Sequence, residues 1–232
     1  MALCQGFRNF KWVSRRPRVL LIEDFLSPLE CQRLRALSAP RLERCTVDDA
    51  QESPLRTCSG AWLPRSDLDG AWSDASSQKL LRNVELKVAK LTQFPVNHGE
   101  PAQVLRYGAG DEYKLHHDFL EGAEDLANGG QRLATLLIYL STVPAQHGGA
   151  TIFPHAQTPR GKVSGARVQP VEGRALLWWN TLDTGQPDLA SEHRSEPMQF
   201  HRKKTTEKWA LSKWIREQPF QLDEDAAAKA GF

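Results

Sequence analysis

The sequence has no long apolar run. No stretch approaches the ~20 consecutive apolar residues that cross a bilayer. The opening segment, MALCQGFRNFKW, has no apolar region of the kind found in a secretion signal. As it stands the chain reads as cytoplasmic, or as resident in the lumen of the endoplasmic reticulum if a targeting segment precedes it. An excess of one charge is also missing. Lys and Arg total 30 against 28 Asp and Glu, a formal net charge of +2. No global field draws the chain to nucleic acid or to a membrane surface, and no nucleic-acid partner is expected. Cysteine is scarce. Cys4, Cys31, Cys45 and Cys58 form no C-x-x-C pair, which excludes a zinc ribbon or a thiol redox site. They are expected to be reduced, mostly buried thiols, with a Cys45–Cys58 bridge as the alternative. No repeat or low-complexity tract is present, and nothing bears on oligomeric state. What is there is an ordinary globular composition, 40% hydrophobic over 232 residues, enough chain to bury a core without disulfides or a structural metal.

Residues 17–25, PRVLLIEDF, read as a buried strand. A helix follows, with Ser27 as N-cap, Pro28 at its first position and Glu30 three residues after the cap, the pattern of a capping box. A longer helix is expected over 72–94, where Leu81, Val84, Val88 and Leu91 share one face and Pro95 ends it. Beyond residue 100 the pattern changes to short β-branched and aromatic runs between turns. These lie at 102–107, 112–118, 132–140, 150–153, 166–171, 174–180 and 208–216, with a short one around His193. Eight such strands suit a double-stranded β-helix, or jelly roll, whose two sheets bury their inner faces together. The expected class is α+β, with the N-terminal helices packed on one sheet. Residues 1–16 read as an N-terminal extension, 17–217 as one domain and 218–232 as a polar tail.

One spacing carries chemistry. His116 and Asp118 stand two apart in an expected strand, so alternation puts both on one face and His117 on the other. With a second His they would form a 2-His-1-carboxylate facial triad, which leaves three positions of an octahedral metal open. His147, His155, His193 and His201 are the downstream candidates. If a 2-oxo diacid binds such a metal, its far carboxylate needs a buried cation, because a buried carboxylate without a partner is costly. Lys208 opens the last strand and can supply it; Lys203 and Lys204 are rivals.

At these residues the chain resembles the prolyl 4-hydroxylase family. The family pattern Y-x-x-G-x-x-Y-x-x-H-x-D reads here as YGAGDEYKLHHD. GGQRLATLLIYL is similar to the family's G-G-x-R-x-x-T-x-L-x-Y-L, and HGGATIFP, GRALLWWN, EHRSEPM and EKWALSKWI match its later segments in order. The first half is similar too, through PRVLLIEDFLSPLEC and LRTCSGAWL, the latter resembling the R-T-S-x-G loop. The resemblance implies a peptidyl-proline 4-hydroxylase, a dioxygenase using iron(II), 2-oxoglutarate and O2, with L-ascorbate as reductant and a proline-containing peptide or protein as partner. It implies that His116, Asp118 and His193 bind iron. Lys208 would pair with the far carboxylate of 2-oxoglutarate, helped by Tyr107 and Thr151. Tyr113, Arg132, Trp214 and Arg56 would line the peptide groove, with segments 53–62 and 119–131 as loops that close over a bound chain.

The chain departs from the family at the rim. Arg194-Ser195-Glu196 stand where small residues and often a Cys are usual. The QFHRKK segment lengthens the gap between the distal His and the Lys, which leaves His201 a rival for His193. Three alternatives follow: an oxygenase of the same fold acting on a free amino acid or nucleobase, a silent peptide-binding jelly roll, and a halogenase. Asp118 argues against the last, since halide needs its coordination position.

Overall fold

The computed structural model of the protein describes residues 9–45, 55–65, 74–200 and 206–221. The strands are, in chain order, β1 (Phe10–Arg15), β2 (Arg18–Ile22), β3 (Glu43–Arg44), β4 (Ser59–Leu63), β5 (Ala102–Tyr107), β6 (Tyr113–His116), β7 (Arg132–Tyr139), β8 (Thr151–Phe153), β9 (Ala166–Val168), β10 (Ala175–Trp179), β11 (His193–Ser195) and β12 (Lys208–Arg216). The larger sheet runs β1-β2-β10-β7-β12-β5-β4-β3 and the smaller β6-β11-β8-β9. This is the expected α+β jelly roll. Among the described residues no helix is long and apolar enough to cross a membrane.

Helix α1 (Pro28–Ser38) starts at the capping box read from the sequence. Glu30 N donates to Ser27 Oγ at 3.3 Å, and Ser27 N donates to Glu30 Oε2 at 2.8 Å. Helix α2 (Ala75–Thr92) is capped by Asp74, whose Oδ1 accepts from Ser77 N at 2.8 Å. Both helices lie on the outer face of the larger sheet. Cys31, Leu34, Leu81, Val84, Val88 and Leu91 form one core with Val104, Leu136, Ile138 and Leu211. Alternation turns the intervening side chains inward. Leu137, Tyr139, Leu176, Trp178 and Ala210 meet Phe153 and Val168 of the smaller sheet in a second core. The site lies at one end of this inner layer.

Three expectations are corrected. Residues 1–16 are not wholly an extension: β1 pairs antiparallel with β2 and forms an edge of the larger sheet, because the chain doubles back through Arg16 and Pro17 into a hairpin. Segments 53–62 and 119–131 are not simply loops. Ser59–Leu63 pairs with β5, and a short helix α3 (Ala123–Ala127) occupies part of the second.

The third correction concerns cysteine. Cys31 is a free buried thiol, as expected, but Cys45 and Cys58 are bonded to each other. The two-residue pairing of β3 with β4 sets Arg44 against Ser59, and Cys45 N donates to Cys58 O at 2.9 Å. This brings the next pair of side chains together across 13 residues of sequence. A bridge closing a loop of this size stabilises a fold by about 3 kcal/mol, chiefly by restricting the unfolded chain. The double variant Cys45→Ser/Cys58→Ser is therefore expected to melt roughly 6–12 °C lower, and a reductant should bring the wild type to the same midpoint. Equal midpoints for all three samples in calorimetry would show that the bridge contributes nothing.

Candidate active site

His116 ends β6, and His193 begins β11 directly opposite it. Pairing of β6 stops at His116, since its partner β11 is only three residues long. Asp118 therefore lies just beyond the strand rather than in it. Its carboxylate still turns to the same side. One ligand atom each from His116, Asp118 and His193 lies within 4.8 Å of the others. His116 Nε2 is 3.7 Å from Asp118 Oδ1, and His193 Nε2 is 3.6 Å from Asp118 Oδ2. His117 points elsewhere, and its Nε2 sits 3.0 Å from Leu189 O.

The residues present fit a metal ion. His116 Nδ1 sits 2.7 Å from Lys114 O, and His193 Nδ1 3.0 Å from Ser191 O. A carbonyl oxygen only accepts, so each Nδ1 carries the proton and each Nε2 keeps its lone pair for a cation. Burial, reinforced by the nearby His193, pushes the His116 imidazole down to about 3, so it is neutral and ready to ligate. Burial alone would raise the Asp118 carboxyl. His193, His116, Arg132 and a hydrogen bond from Thr135 outweigh it and hold the group below its usual range. Thr135 Oγ1 donates to Asp118 Oδ2 at 2.7 Å and accepts from Asn180 Nδ2 at 3.0 Å. This relay leaves Asp118 Oδ1 for the metal. Thr135 and Asn180 were not singled out from the sequence, although both stand in the quoted segments GGQRLATLLIYL and GRALLWWN. An Asn closing the apolar run ALLWW was the available signal, and the structure buries it fully.

Around the triad is a cavity of about 450 Å³, counting its open mouth. Lys208, at the start of β12, is 2% exposed and lines it. It stands in register with Tyr107 of β5, its Nζ 5.0 Å from that ring. Its Nζ donates to Ser195 Oγ at 2.7 Å, and no carboxylate among the described residues pairs with it. Burial pushes the ammonium down to about 7, against a weak opposing pull from Glu196. Tyr107 and Thr151 line the same cavity, and Thr151 Oγ1 accepts from the Tyr139 hydroxyl at 2.7 Å. Thr151 is placed by the turn before it. Gly148 has φ +72°, and a Cβ there would lie 2.1 Å from Pro197 O, so only glycine lets this loop meet the segment after β11.

The expected groove residues fall on one side. Tyr113 stacks on His116, with ring centroids 3.5 Å apart, and Arg56 lies over Tyr113 at 4.8 Å while donating to Gln103 Oε1 at 2.8 Å. Tyr113, Arg56 and Trp214 line the cavity, but Arg132 does not. Arg132 lies against Trp214 at 4.5 Å, and Glu100 accepts from its Nε and Nη2 at 2.6 and 2.8 Å. Glu100 was missed because an acidic residue before a strand is commonplace. His147 and His155 lie outside the triad: His147 Nδ1 is 2.7 Å from Thr206 Oγ1, and His155 pairs with Glu192 at 2.9 Å. His201, Lys203 and Lys204 lie outside the described residues.

Residues 102–216 match the model of the 2OG-Fe(II) oxygenase superfamily. The chain is 37% identical over 215 residues to prolyl 4-hydroxylase 1 of Arabidopsis thaliana, covering 88% of this chain and 71% of that protein. The chain belongs to the prolyl 4-hydroxylase family. It is a 2-oxoglutarate- and iron(II)-dependent dioxygenase. Prolyl 4-hydroxylase 2 of the same plant is 34% identical over 228 residues, covering 90% of this chain and 71% of that one. Two solved structures share the family fold. A viral collagen prolyl hydroxylase from Paramecium bursaria Chlorella virus-1, in complex with 2-oxoglutarate, superposes with a TM-score of 0.59 at 22% identity, covering 92% of this chain and 97% of that one. A Trichoplax adhaerens prolyl hydroxylase, bound to a peptide fragment of the hypoxia inducible factor oxygen degradation domain, also gives 0.59, at 18% identity, covering 86% of this chain and 83% of that one.

Proposed function

We propose that this chain hydroxylates prolyl residues within peptides, at the fourth ring carbon, with 2-oxoglutarate as cosubstrate. The observation that carries the reading is one cavity holding both the His116–Asp118–His193 cluster and a buried lysine that lacks a carboxylate partner among the described residues. A buried cation in this state is a receptor for an anion. Bound iron(II) would supply the oxidising chemistry with O2 as oxidant, one oxygen atom going to the proline ring and the other to the succinate formed as 2-oxoglutarate loses carbon dioxide.

The chain's own residues do the rest. His116, Asp118 and His193 would hold the ion, their orientation set by the Lys114 and Ser191 carbonyls and by the Thr135–Asn180 relay. Lys208, Tyr107 and Thr151 would seat the far carboxylate. Trp178 and Phe153 pack against His193 at 4.6 and 5.7 Å and keep water from its inner side. Tyr113, Trp214 and Arg56 would form the wall on which an extended proline-rich segment docks, flat rings against pyrrolidine rings. Arg132, clamped by Glu100, would stiffen that wall by holding Trp214. The Cys45–Cys58 bridge, packed beside Tyr107, favours an oxidising compartment such as the endoplasmic reticulum lumen over the cytoplasm.

The test is mass spectrometry. Poly-L-proline or a Pro-rich repeat is expected to stimulate 2-oxoglutarate turnover and to gain about 16 mass units per modified residue, one added oxygen. Free proline should be a poor substrate, because it lacks the flanking backbone the wall would grip. Tyr113→Ala should impair peptide use while sparing slow uncoupled decay of 2-oxoglutarate. Hydroxylation of free proline or a nucleobase, with every proline peptide untouched, would sink the substrate assignment.

A further inference from the structure

We infer that Ser195 is a cosubstrate-binding residue, acting with Lys208 to select a 2-oxo acid with a second carboxylate at its far end. The inference rests on the reading of the cavity given above. His193 and Ser195 are two apart in β11, so the strand that presents a metal ligand also turns Ser195 into the cavity. It belongs to the Arg194–Glu196 stretch that departs from the family pattern.

The direction of its hydrogen bond decides the matter. An ammonium group has three N–H donors and no lone pair. In the charged form that meets a carboxylate, Lys208 therefore donates and Ser195 Oγ accepts in the 2.7 Å contact. The hydroxyl keeps its own hydrogen, and no acceptor for it exists among the described residues. Ser195 is 8% exposed, and a buried donor left unmade is costly. With Lys208 on its acceptor side, what the Ser195 hydroxyl offers the cavity is a hydrogen. An amide or alcohol end could accept but would bring no charge to offset Lys208, and an apolar end would leave both donors stranded. A carboxylate, which only accepts, satisfies Lys208 and Ser195 together.

The experiment is calorimetric binding to the manganese(II)-loaded protein, with 2-oxoglutarate and 2-oxopentanoate as probes. The second has the same chain length without the far carboxylate. Ser195→Ala is expected to weaken 2-oxoglutarate by roughly 10-fold, the worth of one charge-assisted hydrogen bond, and to leave 2-oxopentanoate unchanged. Ser195→Cys, similar in shape but a weak donor, should behave like the Ala variant and guards against a packing defect. Unchanged 2-oxoglutarate affinity in both variants, or equal weakening of both ligands, overturns the inference. If Lys208→Ala loses 2-oxoglutarate while the Ser195 variants do not, only this inference fails. If the wild type does not prefer 2-oxoglutarate to 2-oxopentanoate, the reading of the cavity fails with it.

Discussion

His116→Ala and Asp118→Ala are each expected to abolish iron(II) binding and succinate formation, whereas His117→Ala keeps most of both. Loss of a residue that merely orients a ligand typically lowers metal affinity roughly 10- to 100-fold, so loss of a ligand itself should exceed about 100-fold. The contrast with His117 comes from direction. Its ring faces Leu189 O at 3.0 Å, on the segment leading into His193, and it offers nothing to the triad. Removing that contact costs on the order of 1 kcal/mol and should change turnover by no more than about 5-fold. Iron content by metal analysis and succinate release by mass spectrometry would be measured beside thermal unfolding. Equal losses in all three folded variants would refute the placement of the metal.

Lys208→Ala is expected to raise the apparent KM for 2-oxoglutarate by roughly 10- to 100-fold, the equivalent of about 1.5–3 kcal/mol for one charge-assisted hydrogen bond. A pH effect should accompany it. Burial holds the Lys208 ammonium down at about 7, and a seated carboxylate would raise it again. Below pH 7 the lysine is already charged, and this group adds no pH dependence. Above pH 7 binding must take up a proton, so affinity should fall by up to about tenfold per pH unit until the bound-state value is passed. Lys208→Ala should lose that upper limb. A KM for 2-oxoglutarate unchanged by the substitution would remove Lys208 from the site and return attention to Lys203 and Lys204.

His116 and Asp118 were legible as candidate ligands because the chemistry restricts residue type and their spacing follows a strand; His193 and Lys208 came from the family resemblance, and the structure brings all four to one cavity. The rest of the site was not, for identifiable reasons. Thr135 and Asn180 are 45 residues apart and meet only because β7 and β10 pair. Arg56 reaches Tyr113 through a single bridge between segments with no common pattern. The two histidine tautomers depend on backbone carbonyls, which have no letter in the sequence. The eight expected core strands fall close to observed ones because hydrophobic alternation marks a half-buried strand. β1 was missed because FKWVSR joins the sheet at its edge beside basic residues that read as solvated. β3, two residues long, carries no periodicity at all.

Strand β7 serves two structures at once. On one side Ala134, Leu136 and Ile138 belong to the core beneath the helices. On the other, Thr135 holds Asp118, Leu137 lines the cavity and Tyr139 bonds to Thr151. Selection for persistence and selection for chemistry thus fall on alternate letters of one short word. Variation under the helices can be absorbed without touching the reaction, while the interleaved positions are bound to the metal and the cosubstrate. A lineage of such enzymes can re-pack its helices without relearning its chemistry.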